Sequence, residues 1–205
     1  MIYRFLPLFL IFFLHLTDNK SLSAQSWEFI KERDGIKIYT RKTENSSLKS
    51  FKGEAYLHTQ MEKVTALIGN VKNFDWWDDD ITEIKVLLNE KDKHVQYYLI
   101  YDVPWPVTDR DLVVDAFIST DPVTGIRVVE AKPLPNVIPE KPNLIRIKKY
   151  WQRWTIIPIG NDIVHVILEG FVDPGGSVPA WLYNMVITET PLKVIRSVQT
   201  HVQGK

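Results

Sequence analysis

Cysteine is absent from the 205 residues. That excludes disulfides, a thiolate nucleophile, zinc–thiolate sites and a lipidated cysteine tether, so the fold must be held by its core alone. Net charge is missing too: 25 basic side chains balance 25 acidic ones, leaving no overall field to draw the chain to nucleic acid or an anionic surface. There is no glycine-rich phosphate loop and no nucleophile elbow. His58, His94, His165 and His201 share no ligand spacing, and Asp78-Asp79-Asp80 lacks the alternation of a calcium loop. The aromatics are not interleaved with a basic stripe, which argues against nucleic-acid binding. No metal, cofactor or catalytic residue is therefore expected.

Long apolar runs are also scarce. The exception is residues 5–16, apolar except for His15 and about half of the roughly 20 residues a spanning helix needs. A basic start precedes it, and polar residues and the small-residue stretch Ser21-Leu22-Ser23-Ala24 follow. This is the layout of a signal peptide over residues 1–24, cut after Ala24; an uncleaved anchor is the alternative. The expected location is outside the cytoplasm, periplasmic or secreted. Residues 25–205 then form one domain, large enough to close a core and leave a cavity inside it. Hydrophobic residues at 45% and charged residues at 24% suit a soluble globular chain.

What the sequence does have is period-two alternation, the mark of half-buried strands. Residues 27–33 and 36–42 flank Asp34-Gly35, a strong hairpin turn. Further strands are expected over 50–57, 83–88, 94–102, 111–119, 126–132, 144–158 and 162–172. A helix is expected over 59–69 and a shorter helix or turn over 73–80, carrying Trp76 and Trp77. Residues 133–143 hold four prolines and read as an ordered loop. Strands joined by turns rather than helices imply an antiparallel sheet.

One long helix is expected from 178 to 202. At 100° per residue, Trp181, Leu182, Met185, Val186 and Leu192 share one face. After Pro191 the apolar residues Ile195, Val198 and Val202 fall on another, so the helix should bend at Pro191 and wrap a curved partner.

Three segments carry a resemblance. They are Trp27-Glu28-Phe29 with the run 34–41, then Pro104-Trp105-Pro106 with Arg110-Asp111-Leu112-Val113, and finally Trp154 and Pro158 with the run 173–182. In this order they resemble the START (StAR-related lipid-transfer) family over residues 27–202. The resemblance implies an α+β helix-grip fold, with a curved antiparallel sheet wrapped around the C-terminal helix and an apolar tunnel between them. It also implies a lipid or other hydrophobic small molecule as partner, with transient membrane contact. The N-terminal helix of longer family members is missing.

Within that frame Tyr97, Leu99 and Tyr101 face inward by period two, as do Leu112, Val114, Val166 and Leu168. Leu182, Met185 and Val186 would form the roof. These residues either line a tunnel or fill a solid core. Glu189 falls in the apolar stripe; it is either a polar handle in the tunnel or a side chain reaching solvent at the bend, since burying an unpaired carboxylate is costly. Arg110 recurs in the resembled family and is weighed as a brace at the tunnel end or a ligand contact. The acid–arginine pair of some sterol-binding members would fall near 95–97 and 116, where no charge stands, so sterol preference gains no support.

A sixteen-carbon chain has about 15 buried carbons, and at roughly 0.8 kcal/mol each the avoided water contact is about 12 kcal/mol. A closed tunnel supplies this. Two alternatives stand beside the carrier. One is a polyketide cyclase- or hydrolase-like enzyme on the same fold, for which Glu189, Tyr97 and Tyr101 are the acid–base candidates. The other is an envelope interaction module with a vestigial cavity.

Overall fold

A computed structural model of the chain describes residues 26–71, 76–77, 80–104 and 106–203. The leader expected over 1–24, Trp105 and most of the short element expected over 73–80 lie outside the described residues. The elements in order are β1 (Glu28–Arg33), β2 (Ile36–Lys42), β3 (Lys49–Leu57), α1 (Met61–Thr65), β4 (Ile81–Glu90), β5 (His94–Tyr101) and β6 (Arg110–Thr120). There follow β7 (Arg127–Pro133), β8 (Ile145–Arg146), β9 (Lys149–Ile159), β10 (Ile163–Asp173), α2 (Ala180–Val186) and α3 (Glu189–Gln203).

The strands form one sheet in the order β1-β2-β3-β10-β9-β7-β6-β5-β4. This is the expected α+β arrangement, a curved antiparallel sheet with the C-terminal helix against its inner face. The β1–β2 hairpin turns on Asp34 and Gly35, both at positive φ (54° and 74°), the backbone such a tight turn needs. The sequence missed one detail: the expected strand over 144–158 is two pieces, and the short β8 pairs parallel with the start of β6.

The inner face divides into two halves. In the first, Ile36, Ile38, Ala55, Leu57, Val166 and Leu168 are buried beneath Leu192, Ile195, Val198 and Val202 of α3. This half is packed solid. Gly53 sits where α3 crosses β3; a Cβ there would lie 2.8 Å from both Ile195 Cδ1 and Pro191 Cβ. The missing side chain lets helix backbone and sheet approach. Gly53→Ala is therefore expected to cost about 1–3 kcal/mol by overpacking, read as a lower denaturant midpoint with an unchanged m-value.

The expected long helix is two helices. α2 ends at Val186, Ile187 and Thr188 form a turn, and α3 starts at Glu189. The proline explains the break. Within a continuous helix its ring would strike the carbonyl of Ile187, four residues back, whereas in a new first turn its missing N–H costs nothing. The chain restarts the helix instead of bending it. As a result the stripe after Pro191 faces the sheet, and the stripe before it turns outward. Trp181 (69% exposed), Met185 (61%) and Val186 (49%) face solvent, while Tyr183 and Ile187 are buried.

The middle of the sheet is covered on both faces, and β6 is buried along its length from Arg110 to Ala116. The proline-rich loop lies over the outer face, where Lys141 Nζ stands 4.9 Å from the Tyr98 ring centroid. That loop is fastened by Arg146. Its Nε and one Nη donate to the two carboxylate oxygens of Asp111 at 2.8 Å each. Its remaining donors reach the carbonyls of Pro135 (2.6 Å), Ile138 (2.9 Å) and Pro139 (3.4 Å).

Candidate functional site

The second half of the inner face is hollow. Period-two alternation aims Val95, Tyr97 and Leu99 of β5 inward, and antiparallel pairing sets them opposite Ala116, Val114 and Leu112 of β6. The same register continues across the sheet: Ala116 pairs with Ala131 of β7, and Ala131 with Gln152 of β9. One row, Val95–Ala116–Ala131–Gln152, thus crosses four strands with two methyl side chains at its centre. The neighbouring rows carry Tyr97, Trp154 and Val129, whose bulk cannot reach into that gap.

The roof over this floor is made by Ile68, Gly69, Val71, Trp76, Trp77 and Ile81, together with Val194 of α3. Three edge-to-face contacts lock its aromatic residues: Trp76 against Trp77 (5.8 Å between centroids), Trp76 against Trp154 (6.4 Å) and Trp77 against Tyr97 (5.2 Å). Bulky rings over small residues leave a partly open space of about 90 Å³. Among the described residues no charged side chain lines it.

The polar groups in the lining are few and neutral: the phenols of Tyr97, Tyr101 and Tyr150, the amide of Gln152 and the indole N–H groups. The Tyr150 hydroxyl donates to Gln152 Oε1. Burial pushes the Tyr97 and Tyr150 phenols well above the usual range, so both remain protonated. Trp76 Nε1 is buried with no acceptor among the described residues. The site can hold apolar matter and offers hydrogen bonds, but among the described residues it holds no charged acid–base pair.

Of the residues expected at the ligand, the structure brings together Tyr97, Leu99, Tyr101, Leu112 and Val114. The rest are elsewhere. Val166 and Leu168 do face inward, but into the solid half beneath α3. Met185 and Val186 point to solvent and Leu182 is only half-buried, because the helix restarts after residue 188. Glu189 is on the outside of α3, where Lys31 Nζ donates to its carboxylate and its side chain is half exposed. It is no handle in the cavity.

Arg110 is a brace. Its Nε donates to the Pro174 carbonyl at 3.2 Å and a terminal nitrogen donates to the Thr108 carbonyl, tying the start of β6 to the turn before α2. Sequence reasoning missed Ala131, Tyr150, Gln152 and Trp154, and it gave Trp76 and Trp77 no place in the site. The signal for the last pair was two adjacent tryptophans in an otherwise acidic stretch, too costly to leave exposed together.

Among the described residues no group of three or more metal-ligating side chains occurs, and no helix is long and apolar enough to cross a membrane.

The chain matches the family model of the START domain over residues 15–204. An uncharacterised protein of Pseudomonas aeruginosa is 30% identical over 183 residues, 89% of either chain. Rat phosphatidylcholine transfer protein is 29% identical over 175 residues, 82% of this chain and 79% of its own. The crystal structure of a STAR-related lipid transfer protein from Xanthomonas axonopodis is similar, with a TM-score of 0.78 at 30% identity. It covers 86% of this chain and 98% of its own.

Proposed function

Since the chain belongs to the START-domain family, we propose that it holds one lipid-type molecule in the cavity between the hollow half of the sheet and its aromatic roof, and carries it between membranes. The observation that supports this most is the cavity itself. A sheet able to pack solid beneath α3 is left open beside it, by paired alanines under rings too large to fill the gap.

The volume adds a condition. At about 90 Å³ the space is well below the roughly 300–1,000 Å³ of ordinary small-molecule sites. Loading a whole lipid therefore requires the Trp76–Trp77 roof or α3 to swing outward, and the turn at Ile187–Thr188 is a natural pivot for the helix. The exposed apolar face of α2, with Trp181 and Met185, gives that end of the molecule a surface suited to brief membrane contact. Export by the leader over 1–24 belongs to the same proposal, placing the carrier in the periplasm or outside the cell. The enzymatic alternative finds less support, because Glu189 is on the far side of α3 and no charged side chain stands among the described residues that line the cavity.

Solvent extraction of the purified protein followed by mass spectrometry tests the carrier. The expected result is one class of lipid near one molecule per chain, with re-uptake of a fluorescent acyl probe after delipidation. A protein that yields no lipid and takes up no probe would overturn the reading.

A further inference from the structure

The cavity's chemistry restricts what it can hold. Resting on the carrier reading, we infer that the buried end of the ligand is uncharged and carries carbonyl-type hydrogen-bond acceptors, as in an acylglycerol ester or a quinone, and is neither a phosphate nor a carboxylate.

Three observations carry this. First, no Asp, Glu, Lys, Arg or His stands among the described lining residues. An anion placed there would lose its hydration with no cation among the described lining residues to replace it, a penalty far larger than that of a neutral ester. Second, the polar groups are biased towards donation. Gln152 Oε1 already accepts from Tyr150, which leaves its amide N–H groups to donate. Trp76, itself only 4% exposed, contributes an indole N–H with no acceptor among the described residues. Such donors demand an acceptor, and a ligand carbonyl supplies one that the apolar walls do not.

Third, the aromatic residues do not form a cage for a quaternary ammonium group. Such a cage needs ring faces open to the cation. Here the three edge-to-face contacts among Trp76, Trp77, Trp154 and Tyr97 each spend one face on a neighbour's positive edge.

The test is displacement of a fluorescent acyl probe from the full-length protein by three ligands sharing one oleoyl chain: monoolein, oleate and oleoyl-lysophosphatidylcholine. Monoolein is expected to compete at concentrations about tenfold or more below the other two. Trp76→Phe, which keeps an aromatic ring but removes the N–H along with the five-membered ring, is expected to weaken monoolein about fivefold more than oleate. Equal or tighter binding of oleate or the lysophospholipid would overturn the inference while leaving the carrier intact. Equal weakening of all ligands by Trp76→Phe would remove the indole from it. Displacement by none of the three, together with no uptake of the probe, would overturn the carrier reading itself.

Discussion

Asp111→Ala is expected to lower the unfolding free energy by about 3–5 kcal/mol, the usual cost of stranding one partner of a buried ion pair. The Arg146 and Asp111 side chains are 0% and 1% exposed. The guanidinium spends its donors on both carboxylate oxygens and on three carbonyls of the proline-rich loop. Remove the carboxylate, and a cation remains in a site that water cannot reach. For a chain of this length the loss corresponds to a fall in Tm of about 10 °C. Arg146→Ala should do similar damage and also free the loop, giving a new protease cut within residues 134–144. The control is the double replacement Asp111→Leu with Arg146→Met, which removes both charges and should recover much of the loss. A single-variant cost below about 1 kcal/mol would show that the pair is solvated and does not fasten the loop.

Ala116→Leu is expected to abolish probe uptake, a loss of more than about tenfold, while stability stays level or rises by about 0.5–2 kcal/mol. Ala116 is at the centre of the four-strand row, 2% exposed and facing the space beneath the tryptophans. The added branched side chain occupies that space. In a packed interior the same substitution would force side chains off their rotamers and cost about 1–3 kcal/mol, so the sign of the stability change separates a hollow from a solid centre. Loss of stability with undiminished uptake would place the binding site elsewhere. The measurements are a denaturation curve and a probe titration on one preparation.

Much of this architecture can be read from the sequence because strand periodicity is local. Tyr97, Leu99, Leu112 and Val114 face the cavity for the reason the alternation gives: each is on the apolar side of its own strand. Val166 and Leu168 obey the same rule and still fall in the solid half. Alternation reports that a residue points inward; what it meets there depends on where α3 crosses the sheet, which no window of ten residues contains. The cavity has the same origin. Ala116 and Ala131 are fifteen positions apart, and only the β6–β7 register makes them neighbours. The helix face was misjudged for a local reason. Pro191 has two solutions, a kink or a fresh start, and a wheel drawn through it assumes the first. Glu189 and the three apolar residues before it were misplaced together by that assumption.

The division of the interior also bears on how such a carrier could diversify. The tight packing that secures the fold belongs to β2, β3, β10 and α3, whereas the walls that meet a guest come from β5, β6, β7 and β9. Substitutions in those walls reshape the guest chamber without disturbing the contacts that anchor the helix. New cargo preferences can therefore arise by exchanging a few wall side chains, with the scaffold left as it is.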